Sequence, residues 1–380
     1  MIMQVSSKTI RFSHGDTLSP DSLTKYQAVR KSAGNEGKVA SGDTYSPALS
    51  LKDLKESGRL ESHQDSEGET LLENLHDLCS DTSTDTGSKR EELLRWSLIH
   101  LAHPGKTFHQ LESKTTCVPT TLAYDLMVEN PAEFVRLVDG LSSPNGEVAL
   151  ANGDILSDPG FHDETPDSGG SPIEKLLQAS LMNFGKPDLT YSLNDDKFGD
   201  TPSVGLLADE VESLVDAVTG KDHDWFVPSL SEFEKSLKTT DSTIPTVLMW
   251  DGPAEEGQKT EDGETIHSHH MVLATDIDED FVYIRNPWGT RLANDQHLDV
   301  GREILEDGRE RFPKDKFYEL MTYAVLPTAE AAKEIRAERG LVAPEDEVTS
   351  TTPEPKSPKK AKILSRILSN WFGIKTKSSP

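Results

Sequence analysis

A histidine that opens one apolar strand and an asparagine that closes the next constrain this chain more than any other feature. The first run is Ser268-His269-His270-Met271-Val272-Leu273-Ala274-Thr275-Asp276, and the second is Phe281-Val282-Tyr283-Ile284-Arg285-Asn286-Pro287-Trp288-Gly289. Each is apolar and β-branched over strand length, and Asp278-Glu279-Asp280 between them is turn chemistry. Asn286 follows His270 by 16 residues, enough for two short antiparallel strands and a turn, so the two strand ends meet. A side-chain amide there can accept from one ring nitrogen of an imidazole and hold it in one tautomer.

The natural third member is a thiolate. Cys117 lies in Thr115-Thr116-Cys117-Val118-Pro119-Thr120-Thr121-Leu122-Ala123, where a polar loop turns into a helical pattern. A thiol at a helix N-terminus has its pKa lowered by unpaired backbone N–H groups and by the helix dipole, and an imidazolium lowers it further. Cys117, His270 and Asn286 thus read as nucleophile, general base and orienting amide. Other readings stand beside this one. A lone Cys117 is also what a buried core thiol looks like, and Asn-Pro-Trp-Gly is also an ordinary strand-ending turn. His267, His269 and His270 could be a ligand cluster, but strand alternation sends His270 to the face opposite the other two. The expectation is therefore no metal and no cofactor.

At these residues the chain resembles the papain-like cysteine peptidase superfamily. The pattern is closest to the calpain type, in which a His begins one strand and Arg-Asn-Pro-Trp-Gly ends the next; Arg285-Asn286-Pro287-Trp288-Gly289 reproduces that segment in full. The resemblance covers three islands within about residues 108–327 and departs from the family around the nucleophile, where Thr115 and Val118 stand in place of the usual Gly and Trp. It implies an α+β chain of papain-like fold. A helical half carrying the nucleophile helix would pack on an antiparallel β half carrying His and Asn. It also implies that Trp288 shields the His270–Asn286 bond. Gln110 would join the Cys117 N–H in the oxyanion hole, although it lies seven residues before Cys117 where the family has six. The activity implied is a cysteine peptidase acting on protein or peptide substrates through a thioester. The same site on the same fold also serves deamidation or transglutamination of protein Gln, and the fold could persist as a catalytically silent, membrane-docking adaptor.

Composition narrows the class. A formal net charge of −27 argues against nucleic-acid binding. Two cysteines, Cys79 and Cys117, are no disulfide scaffold and fit a reducing compartment. The N-terminus lacks a secretory signal and no apolar run is long enough to span a bilayer. Hydrophobic content of only 34% leaves part of the chain outside any core.

Residues 1–68 read as a disordered polar leader. Its Ser/Thr-rich composition resembles that of bacterial virulence effectors exported without such a signal, so the expected location is cytoplasmic or exported. Residues 69–327 read as the enzyme domain. Within it, helical patterns fall at Glu69–Leu78, Arg90–Leu101, Cys117–Met127, from Pro131 onward, at Ser171–Phe184 and at Leu206–Val218, the last capped by Gly220. Asn152-Gly153 marks a hairpin within Val148–Leu156. Further strands are expected at Thr246–Trp250 and near Met321–Leu326, the latter fed by a helix over Lys314–Leu320. Asp251–Glu264 is an acidic, Gly-rich loop on the His side of the cleft. A helix and linker (328–355) follow, then a tail (356–380) in which seven Lys and Arg lie beside Ile363, Leu364, Ile367, Leu368, Trp371 and Ile374 at helical spacing. Over 356–377 that is the pattern of an amphipathic helix on an anionic membrane surface, or of one that docks on a partner or back on the acidic domain.

Overall fold

The computed structural model describes residues 18–34, 37–38, 44–80, 87–111, 114–160, 169–187, 191–193, 196, 205–250, 268–289 and 301–341. The tail over 356–377, the acidic loop 251–264 and His267 lie outside these residues.

The helical half comprises α1 (Pro20–Ala33), α2 (Pro47–Glu56), α3 (Arg59–Ser62), α4 (Leu71–Ser80), α5 (Gly87–Ala102), α6 (Pro104–Thr107), α7 (Cys117–Glu129), α8 (Pro131–Leu141), α9 (Pro172–Gly185) and α10 (Ala208–Thr219). Two small ribbons join it, β1 (Gly37–Lys38) with β2 (Thr44–Tyr45), and β3 (Glu147–Ala149) with β4 (Ile155–Ser157), the second turning at Asn152-Gly153. α7 is apolar almost all round, as a helix enclosed by others must be. Val118, Leu122, Ala123, Leu126 and Met127 are all buried.

The expected disordered leader needs correction from Ser19 onward. α1, α2 and α3 pack into the core through Val29, Ala33, Leu51, Leu54 and Leu60, each at most 2% exposed. The Ser and Pro residues that depress the local hydropathy are the reason α1 and α2 start where they do. Ser19 caps α1 (Ser22 N–H to Ser19 Oγ, 3.0 Å) and Ser46 caps α2 (Leu49 N–H to Ser46 Oγ, 3.3 Å), with Pro at the first helical position of each.

The β half holds β5 (His223–Phe226), β6 (Ile244–Trp250), β7 (Ser268–Ile277), β8 (Phe281–Arg285), β9 (Glu303–Ile304), β10 (Glu310–Pro313) and β11 (Met321–Pro327), with α11 (Leu230–Thr240), α12 (Lys314–Leu320) and α13 (Ala329–Glu338). Among the described residues these seven strands form one antiparallel sheet in the order β5-β11-β6-β7-β8-β10-β9. Alternation along β7 divides its side chains between two cores. Met271 and Leu273 join the helical half's core, while Val272 and Ala274 pack on the other face with Phe233 and Phe317. α13, in the segment expected to be a helix and linker, packs on α11 and β11, and Arg339 just after it donates to Glu129 at the end of α7 (2.6 Å). Among the described residues no helix is long and apolar enough to cross a membrane.

Candidate active site

β8 ends at Arg285, paired with Leu273, so Asn286 emerges beside the opening residues of β7. His270 Nε2 and Asn286 Oδ1 are 2.9 Å apart, both residues being buried. The Trp288 backbone N–H donates to the same Oδ1 at 3.0 Å, which fixes the orientation of the amide: its oxygen, not its nitrogen, faces the imidazole. An oxygen can only accept, so Nε2 carries the ring proton and Nδ1 keeps its lone pair. The Trp288 indole stacks on the imidazole with centroids 4.0 Å apart and planes 26° apart, covering the bond. Burial pushes the His270 pKa down to about 4 against the upward pull of the Asn286 bond, so the ring rests neutral near pH 7.

Cys117 is the first residue of α7 and is half-buried. Its N-cap, Thr116, does not cap with its side chain but donates its hydroxyl to Gln178 Oε1 at 2.6 Å, leaving the N–H groups of the first turn toward the thiol. Burial pushes the thiol pKa up; the backbone N–H groups of Met271, Val118 and Cys117 itself pull the other way, and the Asp196 carboxylate adds to the rise. Met271 directly follows His270. Its carbonyl accepts from Thr121 Oγ1 at 3.3 Å, so α7 is tied to β7 one residue from the imidazole.

Gln110 is placed differently from the oxyanion role expected of it. Its Nε2 donates to the Lys114 carbonyl, its buried Oε1 meets no hydrogen-bond partner among the described residues, and its backbone N–H donates to the Pro287 carbonyl at 2.7 Å. His269 takes the strand face opposite His270. Among the described residues no group of three or more His, Cys, Asp or Glu is placed to hold a metal.

Several supporting residues escape sequence reading. Glu310, 3% exposed and opposite Ile284 on the strand beside β8, pairs with Arg302 at 3.4 Å. Burial raises its pKa, while Arg302 and the Asn286 amide favour the carboxylate. Asp196 accepts from Thr115 N–H (2.8 Å) and from the Tyr191 hydroxyl (2.5 Å), pinning the loop before Cys117. The one local clue for Glu310 is its parity with Phe312 on a short alternating strand.

Two buried neutral imidazoles each contribute stability that acid removes. His100 spans Thr107 Oγ1 (3.1 Å) and Ser171 Oγ (2.8 Å), is fully enclosed, and is pushed by burial down to about 3 from its ordinary 6.5. The unfolded chain binds protons at His100 and His270 below pH 6.5 while the folded chain does not, so the stability these two groups contribute is full above 6.5 and falls as pH drops toward the folded values. Asp125 works the other way, since burial raises its carboxyl to about 7. His100 alone should remove about 3 kcal/mol between pH 6.5 and pH 4, at about 1.4 kcal/mol per unit. Urea unfolding of the wild type and of His100→Asn at pH 7, 5.5 and 4 checks this: the stability difference between the two should shift in favour of the variant as pH falls, and a difference that stays constant across the series would contradict it.

No protein-family model and no curated protein matches the chain. The structure is similar to the crystal structure of the cysteine protease CMS1MS2 of Carica candamarcensis in complex with E-64, at 13% identity and a TM-score of 0.23, over 59% of this chain and 94% of that one. At that degree of superposition the side chains, not the overlay, decide what the site can do.

Proposed function

We propose that the chain is a thiol-dependent acyl-transfer enzyme, a cysteine peptidase in reaction type, with Cys117 as nucleophile, His270 as base and Asn286 as the orienting amide. The observation that carries this reading is the buried His270–Asn286 bond, with its tautomer fixed by the Trp288 N–H, one residue of β7 from a cysteine at a helix N-terminus.

With a raised thiol and a lowered imidazole the resting pair is neutral, so the thiol–imidazole hydrogen bond belongs to the reacting complex. Nδ1 takes the Cys117 proton as sulfur bonds to the substrate carbonyl carbon. The oxygen becomes anionic against the Cys117 N–H, with Gln110 contributing only once its amide leaves the Lys114 carbonyl. The tetrahedral adduct collapses by breaking the C–N bond, and His270 returns its proton to the departing amine. Water, deprotonated by the same ring, then cleaves the thioester and frees the thiol. Trp288 keeps solvent from the His270–Asn286 bond throughout, and the acyl donor is a protein or peptide.

Iodoacetamide labelling tests the assignment. Burial pushes both thiols up; Cys79 donates its S–H to the His76 carbonyl at 3.2 Å, whereas Cys117 begins a helix and receives the N–H of Met271, the residue after His270. At pH 7.5 Cys117 should react about tenfold faster than Cys79, and His270→Ala should erase most of that advantage. Equal reactivity of the two thiols would sink the reading.

A further inference from the structure

α9 has no residue in the triad, yet two of its side chains, one helical turn apart, govern where the triad's halves lie. Glu174 Oε1 accepts the backbone N–H of His109 at 2.6 Å. Gln178, fully buried, uses one amide for three bonds: Nε2 donates to the His109 carbonyl (2.8 Å), while Oε1 accepts from the Leu111 N–H (3.1 Å) and from the Thr116 hydroxyl (2.6 Å). The segment 109–111 is thereby clamped to α9. From the middle of that segment the Gln110 N–H donates to the Pro287 carbonyl, the residue after Asn286. Thr116, at the other end of the amide, is the residue before Cys117 and is itself fully buried.

A continuous path therefore runs from the nucleophile to the base without passing through the substrate cleft. It goes from Cys117 through Thr116 to the Gln178 amide, on to the 109–111 strap, and across Pro287 and Asn286 to His270. Every non-covalent link is a hydrogen bond of 3.1 Å or less. Cys117 belongs to the helical half and His270 to the sheet, so their spacing depends on how the two halves are registered. Sheet pairing cannot set that register, because β7 and α7 share no ladder. We infer that Gln178 is a positioning residue for the acyl-transfer site, a role that rests on the function proposed above: its amide locks the Cys117 turn and the Asn286 turn to one another. An apolar side chain of the same size would fill the space but remove the bonds to the Thr116 hydroxyl, the Leu111 N–H and the His109 carbonyl, and the two turns would be free to shift independently. A displacement of about 1 Å between reacting groups is worth about a hundredfold in rate.

The test uses the full chain and the second-order rate of iodoacetamide alkylation at Cys117 from pH 6 to 10, with unfolding temperatures recorded for every variant. Thr116→Val removes one link at nearly constant volume, and Gln178→Met removes three. Each should slow alkylation at pH 7.5 by about tenfold and move the rate profile to higher pH, because His270 no longer meets the thiol. Thr116→Ser, which restores the hydroxyl, should return to within about twofold of wild type. Thr240→Val is the control: it removes a buried hydroxyl that donates to the Ser236 carbonyl at 2.7 Å, far from the path, and should lower the unfolding temperature without changing the profile. If Gln178→Met fails to fold, Thr116→Val and its serine rescue decide the matter alone. Wild-type rates in a folded Thr116→Val chain, or an equal slowing in Thr240→Val, would overturn the inference while leaving Cys117 a reactive thiol. An unreactive Cys117 in the wild type would sink the enzymatic reading, and this inference with it.

Discussion

Cys117→Ala and His270→Ala are each expected to lower turnover of a denatured protein substrate by about four orders of magnitude or more, and the double variant to be hardly worse than either. In the proposed mechanism nucleophile and base act as one unit, so once either is gone only binding and oxyanion stabilisation remain. Asn286→Ala should lose less, about a hundredfold, because an unanchored imidazole still visits the right tautomer and orientation part of the time. His269→Ala should stay within about twofold, since that side chain leaves β7 on the face away from the Asn286 bond. Release of acid-soluble peptides from casein, followed over hours at pH 7.5, reads all five. A dead His269→Ala beside an active His270→Ala would mean that the base had been assigned to the wrong neighbour. Wild-type activity in Cys117→Ala would remove the thiol from the mechanism altogether.

Much of the β half is legible before any coordinate because its signals are local. The periodicity that marks Phe281–Arg285 gives β8 at the same bounds, and Lys314–Leu320 forms α12 as the pattern predicts. Cys117 begins its helix where polar residues give way to an apolar face, and Gly220 caps α10 in the left-handed region, as its position predicts. What escaped was of two kinds. The leader reads as disordered because its composition is polar and without a sustained period, although Ser19-Pro20 and Ser46-Pro47 are helix starts. The second kind is side-chain bonds across long stretches of sequence. Gln178 lies 62 residues from Thr116 along the chain, and nothing near either position announces the other. Gln110 departs from expectation for a local reason. Its residue type suits an oxyanion donor, but its amide is drawn to the carbonyl of Lys114, a choice made by the local loop and not by spacing to Cys117.

The turn that carries Asn286 and Trp288 depends on one further residue. Gly289 sits at φ +63°, in the left-handed region, and its N–H donates to the Asn286 carbonyl at 2.9 Å. A Cβ there would fall 2.2 Å from His109 Nδ1 and 2.3 Å from its Cε1. That ring cannot swing clear: His109 is 5% exposed, its Nε2 lies 3.1 Å from the Lys106 carbonyl, and its backbone is held by Glu174 and Gln178. The turn must move instead, and with it the Trp288 N–H that fixes the Asn286 amide. Gly289→Ala should therefore destabilise the fold by about 3 kcal/mol, combining left-handed strain with overpacking, and reduce turnover by about a hundredfold or more. Gly68→Ala is the comparison, since φ there is +90° but nothing lies within 4 Å of the added carbon, so only about 1 kcal/mol of strain is expected. Gly289→Asn separates the two causes, because asparagine tolerates the left-handed region but still carries the Cβ. If it is as damaging as alanine, the clash with His109 dominates. In that case His109→Ala combined with Gly289→Ala should recover about 1 kcal/mol or more relative to the sum of the single changes. Unfolding temperatures and casein turnover measured on the same preparations test this. A Gly289→Ala chain as stable as Gly68→Ala would show that the turn does not press on His109, and that Asn286 is held without it.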